Sequence, residues 1–134
     1  MRSKFIDKLA WIEIKENKIL TTRSKGKDVY YIPGGKRDPG ENDAEALMRE
    51  VQEELSVDIV PMSIRYMGTF SAQAHGKKEP VDVKMSCYFG EYEGDLAPAS
   101  EIEEMRWLSY EEKELTSFVD HKIFDWLNAQ GMLT

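Results

Sequence analysis

The sequence holds one cysteine, Cys87, in 134 residues. An internal disulfide is therefore excluded, and a lone thiol fits a reducing, cytoplasmic setting. Long apolar runs are missing too. The longest clean stretches, such as Leu9-Ala10-Trp11-Ile12, reach four residues, far short of the ~20 a membrane helix needs. No membrane association is expected. The start of the chain, Met1-Arg2-Ser3-Lys4-Phe5-Ile6-Asp7-Lys8, lacks the apolar core of a secretion signal. Nowhere are proline, glycine and serine dense enough for an interdomain linker, and there is no internal repeat or low-complexity segment. Acids outnumber bases, for a net charge of −7. Broad binding to DNA or RNA needs a basic footprint and is not expected. What remains is 41% hydrophobic residues, enough for a single domain over 1–134 with its own core.

The apolar pattern alternates between two periods. Residues 9–14 read as a strand with Ala10, Ile12 and Ile14 on one face. A turn at Glu16-Asn17 leads to a second strand over 19–23, so the two predict a hairpin. A short strand over 29–32 stops at Pro33-Gly34-Gly35. Residues 64–72 read as extended. Residues 82–92 alternate, with Val83, Met85, Cys87 and Phe89 facing one way, and 105–108 form a late strand. Residues 118–129 read as a helix with Phe118, Ile123, Phe124 and Leu127 as its apolar stripe. Strands mixed with two helices predict an α/β domain with a mixed sheet between helices. In that frame Cys87 is a packed strand residue rather than a nucleophile. Tyr30, Tyr31, Phe70 and Tyr88 are of a type that stacks on nucleobases, but strand aromatics more often fill cores.

The most informative stretch lies between Gly35 and Val57. Asn42 is a good N-cap, and Glu45 three residues on completes a capping-box pair. Ala44, Leu47, Met48, Val51 and Leu55 then follow the spacing of one buried helix face. At ~100° per residue, Glu50, Glu53 and Glu54 gather in one arc away from that face. Like charges at these spacings cost roughly 0.2–0.5 kcal/mol per pair. An ordinary solvated face would set a base at i+4 from Glu50, and this chain sets Glu54. Mg²⁺, or alternatively Mn²⁺, would relieve the repulsion, since hard carboxylate oxygens suit either ion. Two other motifs fail. Gly34-Gly35-Lys36 is followed by Arg37 where a P-loop needs Ser or Thr, and no Asp-rich calcium loop occurs.

Read whole, the string is Gly35, five residues, Glu41, seven residues, Arg49-Glu50-Val51-Gln52-Glu53-Glu54, then Leu55-Ser56-Val57. It resembles the signature of the Nudix hydrolases at eight of nine positions. Ile32-Pro33-Gly34-Gly35-Lys36 before it and Arg106-Trp107-Leu108-Ser109 after it also look like that family. The departure is Ser56, where the family has glycine. That position falls just past the helix end, where a left-handed residue commonly closes the turn. Serine takes that shape at a cost of ~1–2 kcal/mol.

The resemblance implies an α/β/α sandwich with a mixed central sheet. It also implies hydrolysis of a diphosphate linkage in a small-molecule nucleoside diphosphate derivative. Glu50, Glu53 and Glu54 would hold the metal, and Glu50 or Glu101 would take the proton from water. Arg49 would orient Glu50. Substrate contact would come from Arg23, Gly34, Gly35 and Glu41. Glu41 would steady the loop or hold a second metal. Glu101 stands first for the loop glutamate that in the family binds metal or activates water, and Glu104 second, against plain surface acid. Arg23 is placed where family members meet phosphate, against a solvated base. His75, in a polar loop with Lys77 and Lys78, is a weaker candidate for base or phosphate contact. A non-catalytic Nudix-like nucleotide-binding or sensor domain is the alternative. The sequence leaves room for a homodimer.

Overall fold

The computed structural model describes residues 5–74 and 81–134. The expectation for His75 falls outside them. Strand β1, Phe5–Ile12, organises the fold. Its last four residues, Leu9 to Ile12, are all buried, because both faces of the strand are covered. A strand in that position reads as an unbroken apolar run. Parity sorts the four residues. Leu9 and Trp11 pack with Leu47, Val51 and Leu55 of helix α1, Asp43–Leu55. Ala10 and Ile12 pack with Ile123, Phe124 and Leu127 of helix α2, Phe118–Ala129. Truncating one such leucine to alanine typically costs ~2–5 kcal/mol.

β1 pairs antiparallel with β4, Gly34–Lys36, and parallel with β7, Asp82–Phe89. Strand β6, Arg65–Gln73, lies antiparallel outside β7. A second sheet joins β2, Ile14–Lys15, β3, Lys18–Ser24, and β9, Ile102–Leu108. A two-strand pair is formed by β5, Asp58–Ile59, and β8, Tyr92–Glu93. The architecture is a mixed α/β fold with a mixed central sheet, as the residue pattern indicates.

Several boundaries move. Residues 29–32 are not a strand. Tyr30 and Tyr31 make isolated bridges to Thr116 and Thr22. Successive residues find different partners there, and the ladder next to β1 is taken by Gly34–Lys36 instead. The strand expected over 82–92 ends at Phe89. The next carbonyl, Gly90 O, accepts the Trp11 indole N–H at 2.9 Å, and the chain turns into β8. Phe118 is 47% exposed, while Val119 and Asp120 face inward. The stripe of Ile123, Phe124 and Leu127, stepped back four residues, reaches Val119 and Asp120 and passes by Phe118. In α1 the stripe takes in Ala46 rather than Ala44.

Candidate active site

Helix α1 is set down at its start by the reciprocal Asn42–Glu45 capping box read from the sequence. Glycine admits it to the sheet edge. The register Leu9↔Gly35 and Ala10↔Gly34 lays two bare backbone units against β1. At Gly34, φ is +143° and a Cβ would meet Leu9 O at 2.0 Å. At Gly35, a Cβ would meet the Glu50 carboxylate carbon at 2.6 Å. Gly35 is therefore what lets the Glu50 carboxylate lie on the chain. Beside this contact is a hollow of about 260 Å³, lined by Gly34, Gly35, Glu50, Glu54, Glu101 and Lys8 among others.

Three acids from two distant segments thus share one cavity. Glu54 is only 8% exposed. This corrects the expected outward arc. Position 54 lies three residues from Val51 and seven from Leu47, on the edge of the apolar stripe, and looks toward the bare backbone of β4. The Gly34 N–H donates to Glu54 Oε1 at 3.4 Å. Burial pushes the Glu54 carboxyl up to about 8, with Glu50 and Glu101 adding to the rise and the Gly34 N–H opposing it. Burial also raises Glu50, against the pull of Arg49. Glu53 is exposed, pairs with Arg49 at 3.2 Å and is not among the residues lining the hollow.

Arg49 braces the site. Its Nε donates to Glu41 Oε2 at 2.7 Å and its terminal nitrogens to Glu41 Oε1 at 2.9 Å, Glu50 at 3.2 Å and the Lys36 carbonyl at 3.0 Å. Glu41 in turn accepts the Asp38 N–H at 2.7 Å. Glu41 is thereby engaged in holding the loop, and Arg49 keeps its carboxyl below the usual range. Arg23 and Glu104 lie elsewhere. The Arg23 guanidinium pairs with Glu103 at 3.1 Å and with Glu104 at 3.2 Å, and the Tyr30 hydroxyl donates to Glu104 at 2.7 Å.

The NUDIX domain family matches residues 9–127. The chain belongs to the Nudix family. Solved structures agree in fold. The E. coli ORF135 protein, 24% identical, superposes with a TM-score of 0.73 over 95% of this chain and 91% of its own. The MutT protein from Methanosarcina mazei Go1 is 19% identical, with a TM-score of 0.72 and 98% of both chains covered. A UDP-X diphosphatase, 16% identical, gives 0.66 over 98% of this chain and 66% of its own. At these identities the likeness speaks for fold alone. No curated protein matches the sequence. This Nudix hydrolase is an enzyme of the pyrophosphohydrolase type. No helix among the described residues is long and apolar enough to cross a membrane.

Two features of this Nudix fold escaped the residue pattern. Lys8 lines the acidic hollow and also a second hollow of about 260 Å³, whose wall includes Tyr31, Met85, Ser117 and Phe118. Its ammonium lies 5.5 Å from the Tyr31 ring centroid. The available signal is parity: Lys8 shares the face of Ile6, Ala10 and Ile12, an inward position for a charge. The other is Asp120, which is fully buried. Its Oδ2 accepts the Ile32 N–H at 3.2 Å, while Oδ1 has no hydrogen-bond partner among the described residues. Burial pushes this carboxyl up to about 7, opposed by the Ile32 N–H, Ser117 and Lys8. Cys87 is packed in the core and burial raises its thiol.

Nudix hydrolases generally need divalent metal ions. Among the described residues, no three His, Cys, Asp or Glu side chains stand close enough together to hold an ion as they are. The donor chemistry nevertheless fits a hard dication. Glu50 and Glu54 are carboxyl groups raised by burial, each raised further by its acidic neighbours.

Proposed function

We propose that this enzyme hydrolyses a diphosphate linkage in a nucleoside diphosphate derivative, with Mg²⁺ (Mn²⁺ serving in its place) held by Glu50, Glu53 and Glu54. The observation that carries this reading is Glu54, a buried carboxylate facing Glu50 and Glu101 across one hollow. Removing charge from water is expensive unless something neutralises it. When bound, the ion neutralises diphosphate oxygens and lowers the pKa of water. The protein's own part is positioning. Arg49 holds Glu50 in line, and Gly34 and Gly35 let the backbone approach the site closely. The Glu101 or Glu50 carboxylate accepts the proton from the attacking water. Lys8 already lies in the hollow and can meet phosphate oxygens there. Arg23 does so only by exchanging Glu103 and Glu104 for phosphate.

The second hollow shares Lys8, Tyr31 and Met85 with the first, which gives a nucleoside somewhere to lie next to its phosphates. That arrangement favours a small nucleoside triphosphate. The composition suits a single domain over 1–134, and the lone Cys87 suits the cytoplasm. A panel of nucleoside triphosphates, nucleotide sugars, dinucleoside polyphosphates and capped RNA ends, run with Mg²⁺ in ¹⁸O-water, tests it. The expected result is turnover of at least one compound, label on one phosphorus, and no turnover in EDTA. Tight nucleotide binding with no turnover across the panel would replace the enzyme reading with a binding domain.

A further inference from the structure

The last four carbonyls of a helix have no partner within it and must find donors elsewhere. In α1 these are Gln52, Glu53, Glu54 and Leu55. The Ser56 N–H takes Gln52 O at 3.0 Å. The other three are met by one distant segment. Ser100 Oγ donates to Glu53 O at 3.1 Å, the Ala99 N–H to Glu54 O at 2.9 Å, and the Ala97 N–H to Leu55 O at 2.9 Å. The following residue is Glu101, which lines the hollow with Glu50 and Glu54. The loop that delivers Glu101 is thus keyed to the peptide units that carry Glu53 and Glu54.

One bond runs the other way. Ser56 Oγ donates to Ala97 O at 3.1 Å. Ser56 holds φ 65° and ψ 19°, a left-handed shape that glycine takes at no steric cost. A glycine here would close the helix just as well and would leave Ala97 O without this donor. We propose that Ser56 is a positioning residue: its hydroxyl locks segment 97–101 to the end of α1 and so keeps the Glu101 carboxylate facing Glu50 and Glu54. This rests on the reading of that hollow as the metal site.

The test compares Ser56→Gly, which relaxes the backbone and removes the hydroxyl, with Ser56→Ala, which removes the hydroxyl only. Each is made alone and with Glu101→Gln. Two readouts are independent of turnover: hydrogen exchange of the Ala97 and Ala99 amides in the metal-free protein, and affinity for Mn²⁺ alone by electron paramagnetic resonance. Both Ser56 variants should speed exchange at Ala97 about five-fold, the scale of one hydrogen bond. Both should also weaken Mn²⁺ binding about three-fold, with no further loss in the Glu101→Gln background. Loss in Ser56→Ala but not in Ser56→Gly would trace the effect to backbone strain and overturn the proposal. So would additive losses with Glu101→Gln. If Glu101→Gln weakens Mn²⁺ binding while Ser56→Gly does not, the proposal alone falls. If Glu101→Gln itself binds Mn²⁺ like the native protein, the placing of Glu101 in the metal site falls and takes the proposal with it.

Discussion

Glu50, Glu54 and Glu101 around the hollow, and Glu103, Glu104 and Glu112 along β9 and just beyond it, are similar clusters in composition and opposite in setting. The second cluster is neutralised. Arg23 pairs with Glu103 and Glu104, Arg106 with Glu112 at 2.8 Å, and both guanidinium groups lie over the Tyr30 ring. The Tyr30 hydroxyl and Arg23 hold Glu104 below the usual carboxylate range, and the Ser109 N–H does the same for Glu112. In the hollow the sign reverses, and burial lifts Glu50 and Glu54. Density of acids does not separate a site from a surface. Burial that outweighs its compensation does.

The largest effect is expected from neutralising the acids of α1 that are proposed to hold the metal. Glu54→Gln should cut kcat by roughly 10²-fold or more, the scale of losing strong charge stabilisation. Glu53→Gln should do the same if Glu53 leaves Arg49 to join the metal. Near-native turnover in both variants would sink the ligand set Glu50, Glu53 and Glu54.

Much of this was legible in the residues. The glycine pair, the capping box and the spacing of Glu50, Glu53 and Glu54 are local, and local periodicity is what a sequence displays directly. The side of the helix that Glu54 faces was not legible. The residue that covers it, Gly34, has no side chain to register in an apolar pattern. Nor was the neutralising of Glu104, because Arg23 on β3 meets it on β9 across 81 positions of chain. Phe118 misled for a related reason. An apolar residue in the first turn of α2 resembles a stripe member until Val119 and Asp120 fix the phase.

The comparison also has a pH signature in the protein stripped of metal. Glu54 is raised from 4.5 to about 8 in the fold, and Asp120 from 3.8 to about 7. A carboxyl raised in the folded state binds its proton more tightly there than in the unfolded chain. Its stabilising effect is complete below the unfolded value and is lost as pH rises through the folded value. Unfolding in EDTA should therefore show stability falling between about pH 4 and 8, by several kcal/mol. Glu54→Gln should flatten the upper part of that fall and Asp120→Asn the lower part. Added Mg²⁺ at pH 8 should restore native Tm and leave Glu54→Gln nearly unmoved. A metal-free Tm that climbs steadily from pH 5 to 8 would show that Glu54 is not buried with its charge uncompensated.

The smallest effect belongs to the neutralised cluster. Glu104 keeps two partners, Arg23 and Tyr30, and its side chain is 39% exposed. Exposed ion pairs contribute little, since water screens them and two long side chains must be held in one geometry. Glutamine in its place still accepts from Tyr30 and loses only the charge on Arg23. Glu104→Gln should therefore lower Tm by less than about 3 °C and change kcat by less than about two-fold. A kcat loss near that of Glu54→Gln would mean that Glu104 reaches the reacting atoms once substrate is bound. Glu104 would then replace Glu101 as the loop carboxylate that activates water, and the contrast between the clusters would survive only in the free enzyme.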